Sequence, residues 1–171
     1  MTIQSMAALR SANSLEPVLT RRRLLVAGGA LCASGISQAA PATLPSVESL
    51  PDELAKALRK DSPLVVMVSL DGCPFCKVAR ENYLGPLHEQ QGLPVVQVDM
   101  RSRRSIRNFQ GDMVTQDELI RSWRIKIAPT VLFFGSGGVE IAERLVGGYI
   151  PDFYGAYLDE RLAQSRATLR K

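Results

Sequence analysis

Leu64-Val65-Val66-Met67-Val68-Ser69-Leu70-Asp71-Gly72-Cys73-Pro74-Phe75-Cys76 is the stretch on which the fold turns. Its first part is a continuous apolar run with several β-branched residues. Such a run is the signature of a strand buried on both faces. Asp71-Gly72 interrupts it. Pro74 then supplies the backbone angle favoured at the first position of a helix. Cys73 therefore falls at the helix cap and Cys76 one turn inside. Unpaired N–H groups at a helix start carry positive potential, which favours the thiolate, the reactive form of cysteine.

The rest of the cysteine count sharpens this. The chain has three cysteines: Cys32, Cys73 and Cys76. Residues 1–39 read as an export signal. Arg21-Arg22-Arg23 precedes a mildly apolar run from Leu24 to Ile36, and small residues follow at Ser37-Gln38-Ala39-Ala40. That run is shorter than the roughly 20 residues a membrane-spanning helix needs, which favours a cleaved leader. Thr20-Arg21-Arg22-Arg23-Leu24-Leu25 also resembles a twin-arginine signal, and an ordinary secretory leader with a rich basic end is the alternative. Cleavage would remove Cys32 and leave the C-x-x-C pair alone. A pair three residues apart closes almost no loop, so it is a poor structural staple. Redox exchange or metal binding remains. A closed zinc site wants four ligands, and the single His88 lies beyond Gly85-Pro86, so His88 is expected at the surface and no metal is expected.

Charge excludes another class. The net +4 is concentrated in the leader, where Arg10, Arg21, Arg22 and Arg23 face one acid, Glu16. The body is within about one charge of neutrality, which gives little steering toward nucleic acid. With 46% hydrophobic and 22% charged residues, the composition is that of a globular chain rather than a disordered one.

Outward from the cysteines, residues 40–50 are expected to be a linker, and residues 51–171 the folded domain. Pro51-Asp52-Glu53 opens a helix. The helix after Cys73 should run to about Glu89, kinked or split at Gly85-Pro86. Val95–Asp99 reads as a second buried strand, Arg101–Gly111 as a long polar loop, and Thr115–Trp123 as a helix. The arginines of the loop, Arg101, Arg103, Arg104 and Arg107, are expected to be solvated. Thr130–Phe134 and Val139–Val146 read as a hairpin across Gly135-Ser136-Gly137-Gly138. That turn leads into a strand rather than a helix, so it is no phosphate loop. A last amphipathic helix opens at Pro151 with Phe153, Tyr157, Leu158 and Leu162. The expectation is an α/β fold with a central mixed sheet of about four strands and helices on both faces. Strands separated by helices should pair in parallel, with one antiparallel edge from the hairpin.

These motifs together resemble the thioredoxin-like superfamily, and in particular its exported bacterial members. Cys73-Pro74-Phe75-Cys76 follows a buried strand, Ile127-Ala128-Pro129-Thr130 precedes the third strand, and Gly147-Gly148-Tyr149 follows the fourth. The resemblance covers roughly Leu50 to Leu169. It implies a thiol–disulfide oxidoreductase with Cys73 as nucleophile, Cys76 as resolving cysteine and a redox-active Cys73–Cys76 disulfide in place of any cofactor. It implies that Pro129 is cis and that the Ala128 backbone holds an extended client by strand addition. Pro74 and Phe75 complete the expected client contact. The implied setting is the periplasm, with protein clients, a membrane thiol carrier as electron source and a monomeric state.

Two departures matter. Thioredoxins proper carry a buried acid six residues before the first cysteine, and Met67 stands there. Proton handling at Cys76 then falls to water, Asp71 or the substrate. Pro74-Phe75 also places no His between the cysteines, so nothing there strongly favours the reduced form. Three functions follow from the resemblance. They are a reductase, an oxidase or isomerase, and a client-binding module without catalysis.

Overall fold

A computed structural model describes residues 43–148 and 151–171. The expected export signal, with Cys32, lies outside the described residues, as do residues 40–42 and Tyr149. The sheet is built on β1 (Leu64–Ser69), every residue of which is buried. It pairs in parallel with β2 (Val95–Asp99), Val66 beside Val96 and Val68 beside Val98. On its other side it pairs with β5 (Thr130–Gly135), Leu64 beside Phe134 and Val68 beside Thr130. That second pairing is antiparallel, against the parallel arrangement expected for strands separated by a helix.

The connection explains the difference. After β2 the chain makes a small two-stranded arm, β3 (Ser105–Arg107) and β4 (Met113–Thr115), that returns on itself. It is followed by α4 (Gln116–Ser122), only seven residues long. The chain stays at the end of the sheet where β1 finishes, so Thr130 enters beside Val68 and β5 runs against β1. The arm itself replaces the expected polar loop. Ile106, its apolar centre, is fully buried, and strands of three residues are too short to show an alternating pattern.

The expected fourth strand is two short ones, β6 (Val139–Glu140) and β7 (Leu145–Val146), both paired with β5, so the sheet has five strands rather than four. Val131 and Phe133 are neighbours on one face of β5. Their partners Leu145 and Ile141 are four residues apart, so two extra residues bulge out between them.

Alternation along the strands sends side chains to two cores. Leu64, Val66, Val68, Val96, Val98, Leu132 and Phe134 pack against α1 (Leu50–Leu58) and α4. Phe109 and Trp123 seal this side, with ring centroids 4.7 and 5.4 Å from Phe134. Val65, Met67, Val95, Val131 and Phe133 face the helical run after Cys73 and α5 (Pro151–Leu169). Tyr154, Leu158 and Leu162 form the buried face of α5, whereas Phe153 and Tyr157 are exposed.

Residues 45–50 correct the expected linker. Gln97 N–H donates to the Pro45 carbonyl at 2.8 Å, Val47 and Leu50 are buried, and Ser49 caps α1. Val47 lies three residues before the first helical residue and Leu50 is that residue, and both cover the core. The run after Cys73 is α2 (Pro74–Val78), a π-helical turn (Ala79–Leu84) and α3 (Gly85–Gln91). Pro86 lacks an N–H and its ring crowds the preceding turn. The wider π turn just before it accommodates this, with Gly85 N–H bonding the Arg80 carbonyl. The helix widens rather than splits.

Candidate active site

The end of β1 and the start of α2 place the cysteines as expected from their spacing. Cys73 is the cap residue, with extended backbone, and Pro74 is the first helical residue. The Cys76 N–H donates to Cys73 Sγ at 3.3 Å. An N–H aimed at sulfur stabilises negative charge there. Cys76 lies one turn deeper and is only 1% exposed, while Cys73 is half-buried and Phe75 stands out at the surface.

Antiparallel β5 brings the second motif to the same edge. The Ala128–Pro129 peptide is cis. The Cys73 thiol points at the Ala128 carbonyl, 3.9 Å away across 55 residues of sequence. Pro129 has no N–H, and its carbonyl accepts from Gly147 N–H at 2.8 Å. The glycine turn thus closes on the site. A Cβ built on Gly148 would lie 3.4 Å from Phe75 Cβ and 3.7 Å from Pro129 Cγ. Phe75, Ile127 and Val146 leave apolar surface exposed nearby. All six residues singled out from the sequence, Cys73, Pro74, Phe75, Cys76, Ala128 and Pro129, stand together at this edge.

His88 is not at the site. It lies in α3, where its ring Nδ1 is 2.8 Å from the Leu93 carbonyl beside the left-handed cap residue Gly92.

The two sulfurs differ in environment. Burial pushes the Cys76 thiol up from an ordinary 9.0 to about 11, and its contact with Cys73 adds to this. Hydrogen bonds from the Leu70 backbone and the Ser69 hydroxyl pull in the other direction without prevailing. Behind Cys76, in the same core, lies Tyr154, whose ring is 4.9 Å from that of Tyr83. Burial above all, then the nearby Cys76 and Tyr83, holds the Tyr154 hydroxyl well above the ordinary tyrosine range. Among the described residues that hydroxyl has no hydrogen-bond partner.

Beside Cys73, on the β2 side, opens a groove of about 910 Å³. Ser69 is in its lining, with Asp71 and Asp99. Arg80 Nη1 donates to Gln97 Oε1 at 3.1 Å, and Gln97 Nε2 to Asp99 Oδ1 at 2.7 Å. Sequence reading missed Ser69 and Tyr154. Ser69 was absorbed into the apolar run of β1. The available signal was its alternation with Val65 and Met67, which puts it on the face that covers Cys76.

A family model described as a thioredoxin-like domain matches residues 50–161. The chain belongs to the thioredoxin-like family. Proteins of this family are generally thiol–disulfide oxidoreductases. No curated protein matches the chain by sequence. Among solved structures it is similar to a poplar thioredoxin h, at 19% identity over 67% of this chain and 96% of that one, with a TM-score of 0.45. It is similar also to the reduced periplasmic thioredoxin SoxS from Paracoccus pantotrophus, at 20% identity over 60% and 98% of the two chains, with a TM-score of 0.40. The DsbH oxidoreductase shares 18% identity over 76% and 88%, with a TM-score of 0.48. In thioredoxin-like terms, the departure at Met67 is a buried thioether within the core that covers Cys76.

Proposed function

We propose that the protein is a periplasmic thiol–disulfide oxidoreductase that reduces client disulfides through the Cys73/Cys76 dithiol. The observation that carries this reading is the position of the Cys73 sulfur. It sits at a helix start, between the Cys76 N–H and the Ala128 carbonyl, with a second thiol one turn below. Cys73 attacks a client disulfide, and one client sulfur leaves as a thiolate. Cys76 then attacks the mixed disulfide, the second client sulfur leaves, and Cys73–Cys76 becomes the disulfide. The client gains two electrons and the dithiol loses them.

Ala128 and Pro129, just ahead of β5, hold the client by strand addition, and Pro74 and Phe75 contact it beside the sulfur. The absence of a cation between the cysteines leaves the reduced form without special stabilisation, which suits a reductant rather than an oxidant. Electrons return from a membrane thiol carrier, and the enzyme acts as a monomer. Among the described residues no helix is long and apolar enough to cross a membrane.

Trapping tests the assignment. Cys76→Ala should leave a persistent mixed disulfide on Cys73 that a thiol reductant releases, whereas Cys73→Ala should trap nothing. Equal trapping by both variants, or by neither, overturns the assignment of roles. Equilibration with glutathione mixtures then fixes direction. A potential near that of thioredoxin supports reduction, and one near the strongly oxidising proteins replaces it with disulfide formation.

A further inference from the structure

We propose that Arg80 is a specificity-determining residue of the groove beside Cys73, where its guanidinium receives a carboxylate side chain that the client carries two or three residues from its reactive cysteine. This names a substrate class for the oxidoreductase reading and rests on it.

The groove and the Ala128 edge serve different parts of a client. β2 and β5 flank β1 on opposite sides. The groove opens on the β2 side of Cys73, and Ala128 precedes β5. A disulfide carries a chain on each sulfur, so a client held along Ala128 still has chain to place on the groove side.

Arg80 reaches this groove from the helical side. Cys73, Lys77 and Arg80 follow one another at spacings of four and three residues, which sets them on one helix face. The Arg80 side chain crosses from there to β2, where its Nη1 donates to Gln97 Oε1 at 3.1 Å. Gln97 is held in turn, its Nε2 donating to Asp99 Oδ1 at 2.7 Å. All three residues line the groove. The cation is thus fixed by a neutral amide rather than by a carboxylate, and among the described residues Arg80 forms no ion pair. It is also half-buried, so its charge is less screened than that of a free surface arginine. A planar guanidinium fork matches a carboxylate, and one bond to Gln97 leaves most of its N–H groups to offer.

The surrounding charges agree. Lys77 and Arg101 line the groove as well, against the carboxylates of Asp71 and Asp99, so the lining is net positive. Asp99 already accepts the Gln97 amide, and Asp71 is exposed. Lys77 is exposed and stands 4.0 Å from Glu81, which leaves Arg80 as the cation with a fixed position and no acid of its own. The reach follows from the helix. Seven residues rise about 10 Å, and helical side chains lean back toward the helix start, here toward Cys73. An extended client covers about 3.3 Å per residue, which puts its carboxylate two or three residues from the cysteine.

Single-turnover reduction of peptide disulfides by the full reduced chain tests this. Three symmetric peptide disulfides are compared, with Glu, Gln or Lys at the second and third positions on both sides of the cysteine. The Glu peptide should react about 5- to 20-fold faster than the Gln peptide in second-order rate constant, the scale of a partly screened charge-assisted pair. The Lys peptide should be the slowest. Arg80→Gln should bring the Glu/Gln ratio to within about twofold of one, and the ratio cancels any general effect of the substitution on the site. Arg80→Lys, which keeps the charge but not the fork, should retain part of the preference. A wild-type ratio within about twofold of one, or preference for the Lys peptide, overturns the carboxylate site and leaves the oxidoreductase reading standing. Full preference retained by Arg80→Gln overturns the assignment to Arg80. Reduction of none of the peptides overturns the oxidoreductase reading, and the specificity falls with it.

Discussion

Alkaline pH should destabilise the reduced protein through Cys76, by an amount the structure sets. The Cys76 thiol is raised from 9.0 to about 11, with burial the largest cause and the Cys73 contact second. Between those values the unfolded chain has released a proton that the folded chain still holds. The native state binds more protons there, so stability falls as pH rises. The contribution is fully present below pH 9.0 and is lost as pH passes about 11. A shift of about two units at about 1.36 kcal/mol each sets a ceiling of about 2.7 kcal/mol. The neighbouring Cys73 is only half-buried, so solvent screening brings the expected loss to about 1–2 kcal/mol. Urea unfolding from about pH 8 to about pH 11, under a phosphine reductant, measures it. Cys76→Ser is the reference, because serine does not ionise in this range. Tyr154 is raised mainly by burial, which both proteins share, so the larger part of its contribution cancels in the difference. The wild type should lose about 1–2 kcal/mol more than Cys76→Ser across the range. Parallel curves would show that the Cys76 thiol is not desolvated.

Two further outcomes bear on packing. Leu50→Ala should cost about 2–5 kcal/mol in urea unfolding, because the side chain is wholly buried between α1 and the sheet. A cost below about 0.5 kcal/mol would restore the linker reading of that segment. Tyr154→Phe should leave stability unchanged or raise it by up to about 1 kcal/mol, since the buried hydroxyl has no partner among the described residues and the ring contact with Tyr83 is kept. A loss of more than about 1 kcal/mol would mean that the hydroxyl is bonded after all.

Legibility tracked the range of the interaction. The β1 run, the Cys73 cap with Pro74 inside it, and the helix from Thr115 depend on residues within a turn or two of one another. Thr115 and Glu118 form a capping box, with Thr115 N–H donating to Glu118 at 2.8 Å. Five or six residues are enough to specify such features. The β3–β4 arm was missed because three residues carry no period and its one core residue, Ile106, sits among arginines. The linker was placed too far along because Pro45 and Ser46 look like linker, although Val47 and Leu50 beyond them are core. The doubled β6–β7 edge looked like one strand because a bulge leaves the apolar content of a segment unchanged.

By itself the sequence determined that two cysteines would stand at the start of a helix fed by a fully buried strand. It also determined that a proline motif would begin a later strand. Tertiary structure decided that these belong to one site. The connection after β2 brings the chain to the end of the sheet where β1 finishes, so β5 runs antiparallel to β1, and that direction brings Ala128 within 3.9 Å of the Cys73 sulfur. It also decided which thiol is buried. Local bonding can specify a cap or a strand. The side of a sheet on which a distant strand lands depends on the length and path of the chain between, which no local pattern records.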